Sequence, residues 1–109
     1  MLVTVRGEVD ATNSRELAGY VERQIAGSAR LVLDLRHIDF FGTAGFAALH
    51  NVNVVCARYD VEWVLVVEPQ LRRFLKVCDP DNQLPLEDSA VEHADTGTRD
   101  GELLVRGDH

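Results

Sequence analysis

The run Leu31-Val32-Leu33-Asp34-Leu35-Arg36-His37-Ile38-Asp39-Phe40-Phe41-Gly42-Thr43-Ala44-Gly45-Phe46-Ala47-Ala48-Leu49 reads as a strand, a tight turn and the start of a helix. Leu31, Val32, Leu33 and Leu35 make a nearly continuous apolar run, the pattern of a strand covered on both faces. Gly42 and Gly45 bracket Thr43 and Ala44, so the backbone can turn sharply there and come close to a partner. From Thr43 onward the spacing turns helical, with Phe46, Leu49, Val52 and Cys56 three or four residues apart. Thr43 therefore offers a hydroxyl in the first turn of a helix. Free N–H groups and the positive dipole end favour an added phosphate at such a place.

Upstream, Leu2 to Val9 alternates crudely and predicts a strand that ends at a loop around Asp10. Asn13-Ser14-Arg15-Glu16 can close a capping box, with Asn13 accepting from the backbone and Glu16 reaching back. Leu17, Tyr20, Val21 and Ile25 then recur at helical spacing, and Gly27 follows as a stop. Downstream, the helix opened by Thr43 should run to Ala57 or Arg58. His50, Asn51 and Asn53 are its main polar side chains, which fits either a well-buried helix or a docking face.

Val61 to Val67 is a second run apolar on both faces, hence another interior strand. Pro69 suits a first helical position, and Gln70 to Val77 should form a short helix. Its inner side would carry Leu71, Phe74, Leu75 and Cys78, with Arg72, Arg73 and Lys76 outside. Asp79-Pro80-Asp81-Asn82 breaks that helix, and Gln83-Leu84-Pro85-Leu86 is a candidate edge strand. Strands alternating with helices across short connections predict a single α/β domain, a mixed β-sheet packed against α-helices. Residues 1–89 would form the domain, and 90–109 an acidic, flexible tail whose one apolar patch is Leu103-Leu104-Val105.

The run Leu33-Asp34-Leu35 through Ile38-Asp39-Phe40-Phe41-Gly42-Thr43-Ala44-Gly45-Phe46 resembles the signature of STAS domains, the anti-sigma-factor antagonists of bacteria and their relatives. In that family the turn reads Asp-Ser-(Ser, Thr or Ala)-Gly-Leu, and a partner kinase phosphorylates the first Ser. That Ser falls on Thr43 and the Gly on Gly45, while Gly42 stands where the family has Asp. Gly7-Glu8-Val9-Asp10 is similar to the Gly-Glu-x-Asp that precedes the family's first helix, whose Asp lies near the phosphorylated hydroxyl. The resemblance spans Leu2 to Ser89, so residues 1–89 are expected to be a STAS-like domain. The family has a further short strand before the Gly-Glu-x-Asp strand, so here either the tail substitutes for it or the sheet has one strand fewer.

At 109 residues with 46% hydrophobic and 27% charged side chains, the composition is that of one ordinary globular domain. Net charge is −7 with Lys and Arg scattered, which argues against direct nucleic-acid binding. No apolar run reaches the ~20 residues that span a membrane, and no signal peptide is visible, so a cytoplasmic location is expected. Cys56 and Cys78 are too few for a disulfide framework or a zinc site and read as small core hydrophobes. His37, His50, His93 and His109 show no ligand spacing, so no metal and no cofactor are expected.

The resemblance implies a binding module that is switched off by phosphorylation. Thr43 would be the phosphoacceptor, and Asp10, Thr12, Gly42, Thr43, Ala44, Gly45 and Phe46 the surface that docks on a kinase-type anti-sigma factor. The alternative is a constitutive STAS binding or scaffold module, for example a transporter-associated subunit, in which Thr43 only caps its helix. An enzyme built on Asp34, His37, Asp39 and Thr43 is disfavoured, because no acid–base pair has a supporting partner in the pattern. Asp39-Phe40-Phe41-Gly42 is likewise no kinase loop, since the rest of that signature set is missing.

Overall fold

A computed structural model describes residues 1–81, 83–86 and 99–105. Its elements are β1 (Leu2–Val9), α1 (Ser14–Ile25), β2 (Arg30–Phe41), α2 (Thr43–Arg58), β3 (Glu62–Val66), α3 (Pro69–Cys78) and β4 (Arg99–Val105). The strands form one sheet in the order β3-β2-β1-β4. Every pairing is parallel, so the α/β class is as expected, while the described strands are all parallel instead of mixed. Parallel strands need crossover connections, and the helical periodicity between the apolar runs supplies them.

The core lies between the sheet and the helices α1 and α2, which pack on one another. Val3, Val5, Leu31, Leu33 and Leu65 enter it from the strands, and Leu17, Val21 and Ile25 from α1. From α2 come Leu49, Val52 and Cys56, while Ala47, Asn51 and Val54 lie exposed on its other side. The low charge of α2 thus serves both burial and an open face. Burial pushes the Cys56 thiol up to about 11, and Cys78 is only half-buried. Pro69 is the first residue of α3, as its spacing predicts, and Leu75 is fully buried. Arg73 and Lys76 are exposed and Arg72 half-buried.

The register corrects several local expectations. Thr4 pairs with Asp34 and Arg6 with His37, so β2 spends three residues where β1 spends two; a second slip follows between Gly7 and Glu8. These bulges carry β2 on to Phe41, well past its apolar run. At the first bulge, buried Asp34 accepts hydrogen bonds from the Arg36 backbone N–H at 3.0 Å and from Arg36 Nε and Nη2 at 2.9 Å. Burial pushes the Asp34 carboxyl up, but these Arg36 contacts, with the charges of Arg36 and His37, outweigh it and hold it below its ordinary value.

The capping box does not form. Asn13 Oδ1 accepts from the Asp10 N–H at 3.0 Å and Nδ2 donates to the Glu8 carbonyl at 2.7 Å, so this side chain ties the β1–α1 loop to β1. No side chain caps α1. Among the described residues, Gln83 to Leu86 contributes one bridge, Leu65 with Leu86, in place of the expected edge strand. Asp79 holds that segment, accepting from the backbone N–H groups of Gln83 at 3.0 Å and Leu84 at 2.9 Å.

The largest correction concerns the tail. Residues 99–105 form a strand, β4, which runs along β1 from Leu2↔Arg99 to Gly7↔Val105. Val105 is buried, Tyr20 Oη donates to the Glu102 carbonyl at 3.3 Å, and Arg6 pairs with Glu102. The boundary expected at residue 89 therefore leaves out an integral strand. Residues 90–98 and 106–109, expected to be flexible, lie outside the described residues.

Gly7 makes this docking possible. It sits at φ +106°, and a Cβ there would fall 2.0 Å from the Val105 carbonyl oxygen. Only a residue without a side chain allows β4 so close at that backbone angle.

Candidate functional site

In a parallel sheet the loops leaving the carboxyl ends of neighbouring strands cluster, and here two of them meet. β1 delivers Asp10 and β2 delivers Thr43. The Gly42 N–H donates to the Val9 carbonyl at 2.9 Å, one residue before Asp10, so the two loops are joined at their roots. The sequence pattern alone gave no such bond. It follows from Val9 pairing with Phe41 in register.

Asp10 is half-buried and already engaged. Its Oδ1 accepts from the Thr12 backbone N–H at 2.8 Å and from Thr12 Oγ1 at 2.5 Å. Its carbonyl accepts from Ser14 N–H at 3.0 Å. Thr12 is exposed, and the carboxylate holds its hydroxyl over the loop.

Thr43 is the first residue of α2 and is exposed. The cap position belongs to Gly42, at φ −91° and ψ −176°, and no side chain there bonds to the helix. The reading of Thr43 as a cap is therefore replaced: it stands one place inside the helix. The Gly45 N–H bonds back to the Gly42 carbonyl at 3.0 Å, and α2 has no acidic residue in its first turn. A positive dipole end thus lies open beside the Thr43 hydroxyl.

Ala44 and Phe46 are half-buried and Gly45 is buried, with Phe46 edge-on to His50 at 4.5 Å between ring centroids. All seven expected site residues, Asp10, Thr12, Gly42, Thr43, Ala44, Gly45 and Phe46, lie on these two adjoining loops and the helix start. Asp34 is not part of this group, being buried against Arg36. Among the described residues, no group of three or more His, Cys, Asp or Glu is placed to hold a metal, and no helix is long and apolar enough to cross a membrane.

Phe41 has a packing role that the motif does not reveal. Its ring fills the space under Gly45, where a Cβ would meet it at 2.7 Å, and stands edge-on to Phe74 of α3 at 6.3 Å. The first turn of α2 is thus wedged against α3. The apolar pair just before the turn was the only available signal.

The STAS domain family matches residues 1–93. The chain belongs to the STAS-domain family. Osmosensory protein A of Mycobacterium tuberculosis (strain ATCC 25618 / H37Rv) is 37% identical over 68 residues, which is 62% of this chain and 43% of that protein. The match thus spans less than half of that relative. An anti-sigma factor antagonist from Mycobacterium paratuberculosis shares the STAS fold with a TM-score of 0.66 at 22% identity, over 84% of this chain and 82% of that one. The anti-sigma factor antagonist SpoIIAA in its unphosphorylated form superposes with a TM-score of 0.60 at 14% identity, over 84% and 83% of the two chains.

Proposed function

We infer that this STAS domain is an anti-sigma-factor antagonist, which binds a kinase-type anti-sigma factor and is switched off by phosphorylation of Thr43. The supporting observation is the exposed Thr43 hydroxyl at the open start of α2, rooted beside the Asp10 loop. Asp10, Thr12, Gly42, Ala44, Gly45 and Phe46 would complete the docking surface. The protein would do no chemistry itself, the kinase and a phosphatase doing it.

The electrostatics of such a switch are two-sided. Phosphate adds close to two negative charges and three acceptor oxygens. Within this protein the uncapped helix end would accept it well. The penalty would arise on docking, where a dianion beside Asp10 in a protein of net charge −7 must be desolvated against the partner. About 1.4 kcal/mol of such a penalty is tenfold in affinity, so one modification suffices as a control.

Gly42 favours a second reading, a constitutive binding or scaffold module, because no acid precedes the hydroxyl. The test is capture from native extract with and without ATP. The switch requires ATP-dependent release and phosphate on Thr43, with Thr43→Glu binding weakly and Thr43→Ala binding without release. Capture indifferent to ATP, with Gly42→Asp alone becoming modified, supports the constitutive reading and removes the switch. The name of the mycobacterial relative suggests osmotic stress as a growth condition to include.

A further inference from the structure

A cleft of about 380 Å³ opens between the carboxyl end of β2 and the start of α3, just before Thr43 in the chain. Leu35, Ile38, Phe41, Leu71 and Phe74 give it an apolar lining. Its exposed members are of a different kind. Asp39 and Glu68 are carboxylates, Gln70 is an amide, and Phe40 is 39% exposed. Among the described residues, no lysine, arginine or histidine lines it and neither carboxylate is ion-paired. Its volume is in the range of ordinary ligand pockets.

We propose that this cleft receives an arginine side chain together with a neighbouring aliphatic residue from a partner protein. The aliphatic residue and the arginine stem would cover Leu71, Phe74 and Ile38, burying apolar surface on both sides. The guanidinium then meets two carboxylates whose charge no described lining residue offsets. A planar guanidinium, with its fork of donors and weak hydration, suits such a carboxylate-rimmed apolar cleft better than an ammonium does. An acidic or purely apolar segment satisfies only half of this lining.

The cleft touches the switch region through one side chain. Phe41 lines it, and the same ring lies under Gly45 and edge-on to Phe74. An occupant pressing on Phe41 therefore presses on the first turn of α2, and a partner reaching Thr43 has the cleft within the same footprint. That a partner docks at this end rests on the functional reading above, whereas the cleft's chemistry does not.

The probe is acetyl-leucyl-arginine amide, titrated into the isotope-labelled full chain and followed by amide chemical shifts. Its citrulline counterpart has nearly the same shape without the charge. The expected result is saturable shifts at Phe40, Phe41, Leu71 and Phe74, with the citrulline probe at least fivefold weaker. Asp39→Asn combined with Glu68→Gln should erase that preference while leaving the rest of the spectrum in place, since both side chains are exposed and Glu68 makes no capping bond. Equal binding of the two probes, shifts elsewhere, or no shifts overturns the proposal. Thr43→Glu should bind the probe as the natural chain does. Probe binding that persists while ATP-gated capture fails leaves the cleft standing and removes only the switch.

Discussion

Gly45 and the Phe41 ring occupy one another's space: a Cβ on Gly45 would lie 2.7, 2.8 and 2.9 Å from three atoms of that ring. The Gly of the turn is thus needed for packing beneath α2. Gly45→Ala should destabilise the domain by about 1–3 kcal/mol, the usual cost of overpacking. Urea unfolding measures it. Phe41→Leu should recover part of that loss when combined with Gly45→Ala, giving a non-additive double-mutant cycle. Additive losses would mean that the ring is not what resists the methyl group.

Gly7→Ala should release β4. The Val105 carbonyl cannot stay where a Cβ would lie 2.0 Å away, and φ +106° is itself unfavourable for alanine. Amide hydrogen exchange at Leu103 and Val105 should accelerate, while the amide of Leu33 on the inner strand β2 stays protected. Unchanged protection at Val105 would contradict the close approach.

Gly42→Asp should stabilise α2. The backbone at this position is extended and open to any residue, and the added Cβ would lie 3.4 Å from the Phe40 ring, a tight but yielding neighbour. A carboxylate there can accept from the free N–H groups of the first turn and face the dipole end, together worth about 0.5–1 kcal/mol. A higher urea midpoint with an unchanged slope is the expected outcome. A lower midpoint would show that Phe40 does not give way.

Asp34 sets part of the acid sensitivity. Its folded-state pKa is depressed below the ordinary 3.8 because the Arg36 contacts outweigh burial. The stability it contributes is fully present above the unfolded value and is lost as pH falls through the folded one. Between pH 5 and 2 the natural protein should therefore lose stability more steeply than Asp34→Asn. That variant should be weaker at pH 7 by about 1–3 kcal/mol, since it loses charge-assisted bonds to a partly exposed Arg36. Parallel curves would remove Asp34 from the acid response.

Much of the fold is legible in the sequence. Apolar runs at Leu31 and Val61, helical spacing after Asn13 and Thr43, and Pro69 opening α3 are local signals, because strand and helix periods are written into consecutive residues. The motif around Thr43 and the match at Gly7 to Asp10 also named the family and the candidate hydroxyl. Relations between residues far apart in sequence were not legible. The Leu103-Leu104-Val105 patch looked like tail because seven residues in acidic surroundings carry no sign of a partner strand; only the space beside β1, opened by Gly7, makes them β4. Asn13 fitted a capping box, yet its amide is satisfied better across the loop by Asp10 and Glu8. The bulges in β2, the wedge of Phe41 between Gly45 and Phe74, and the acidic cleft beside them depend on how strands register and where α3 comes to rest. Period and composition fix the elements and the reactive group, and packing between distant segments decides what surrounds it.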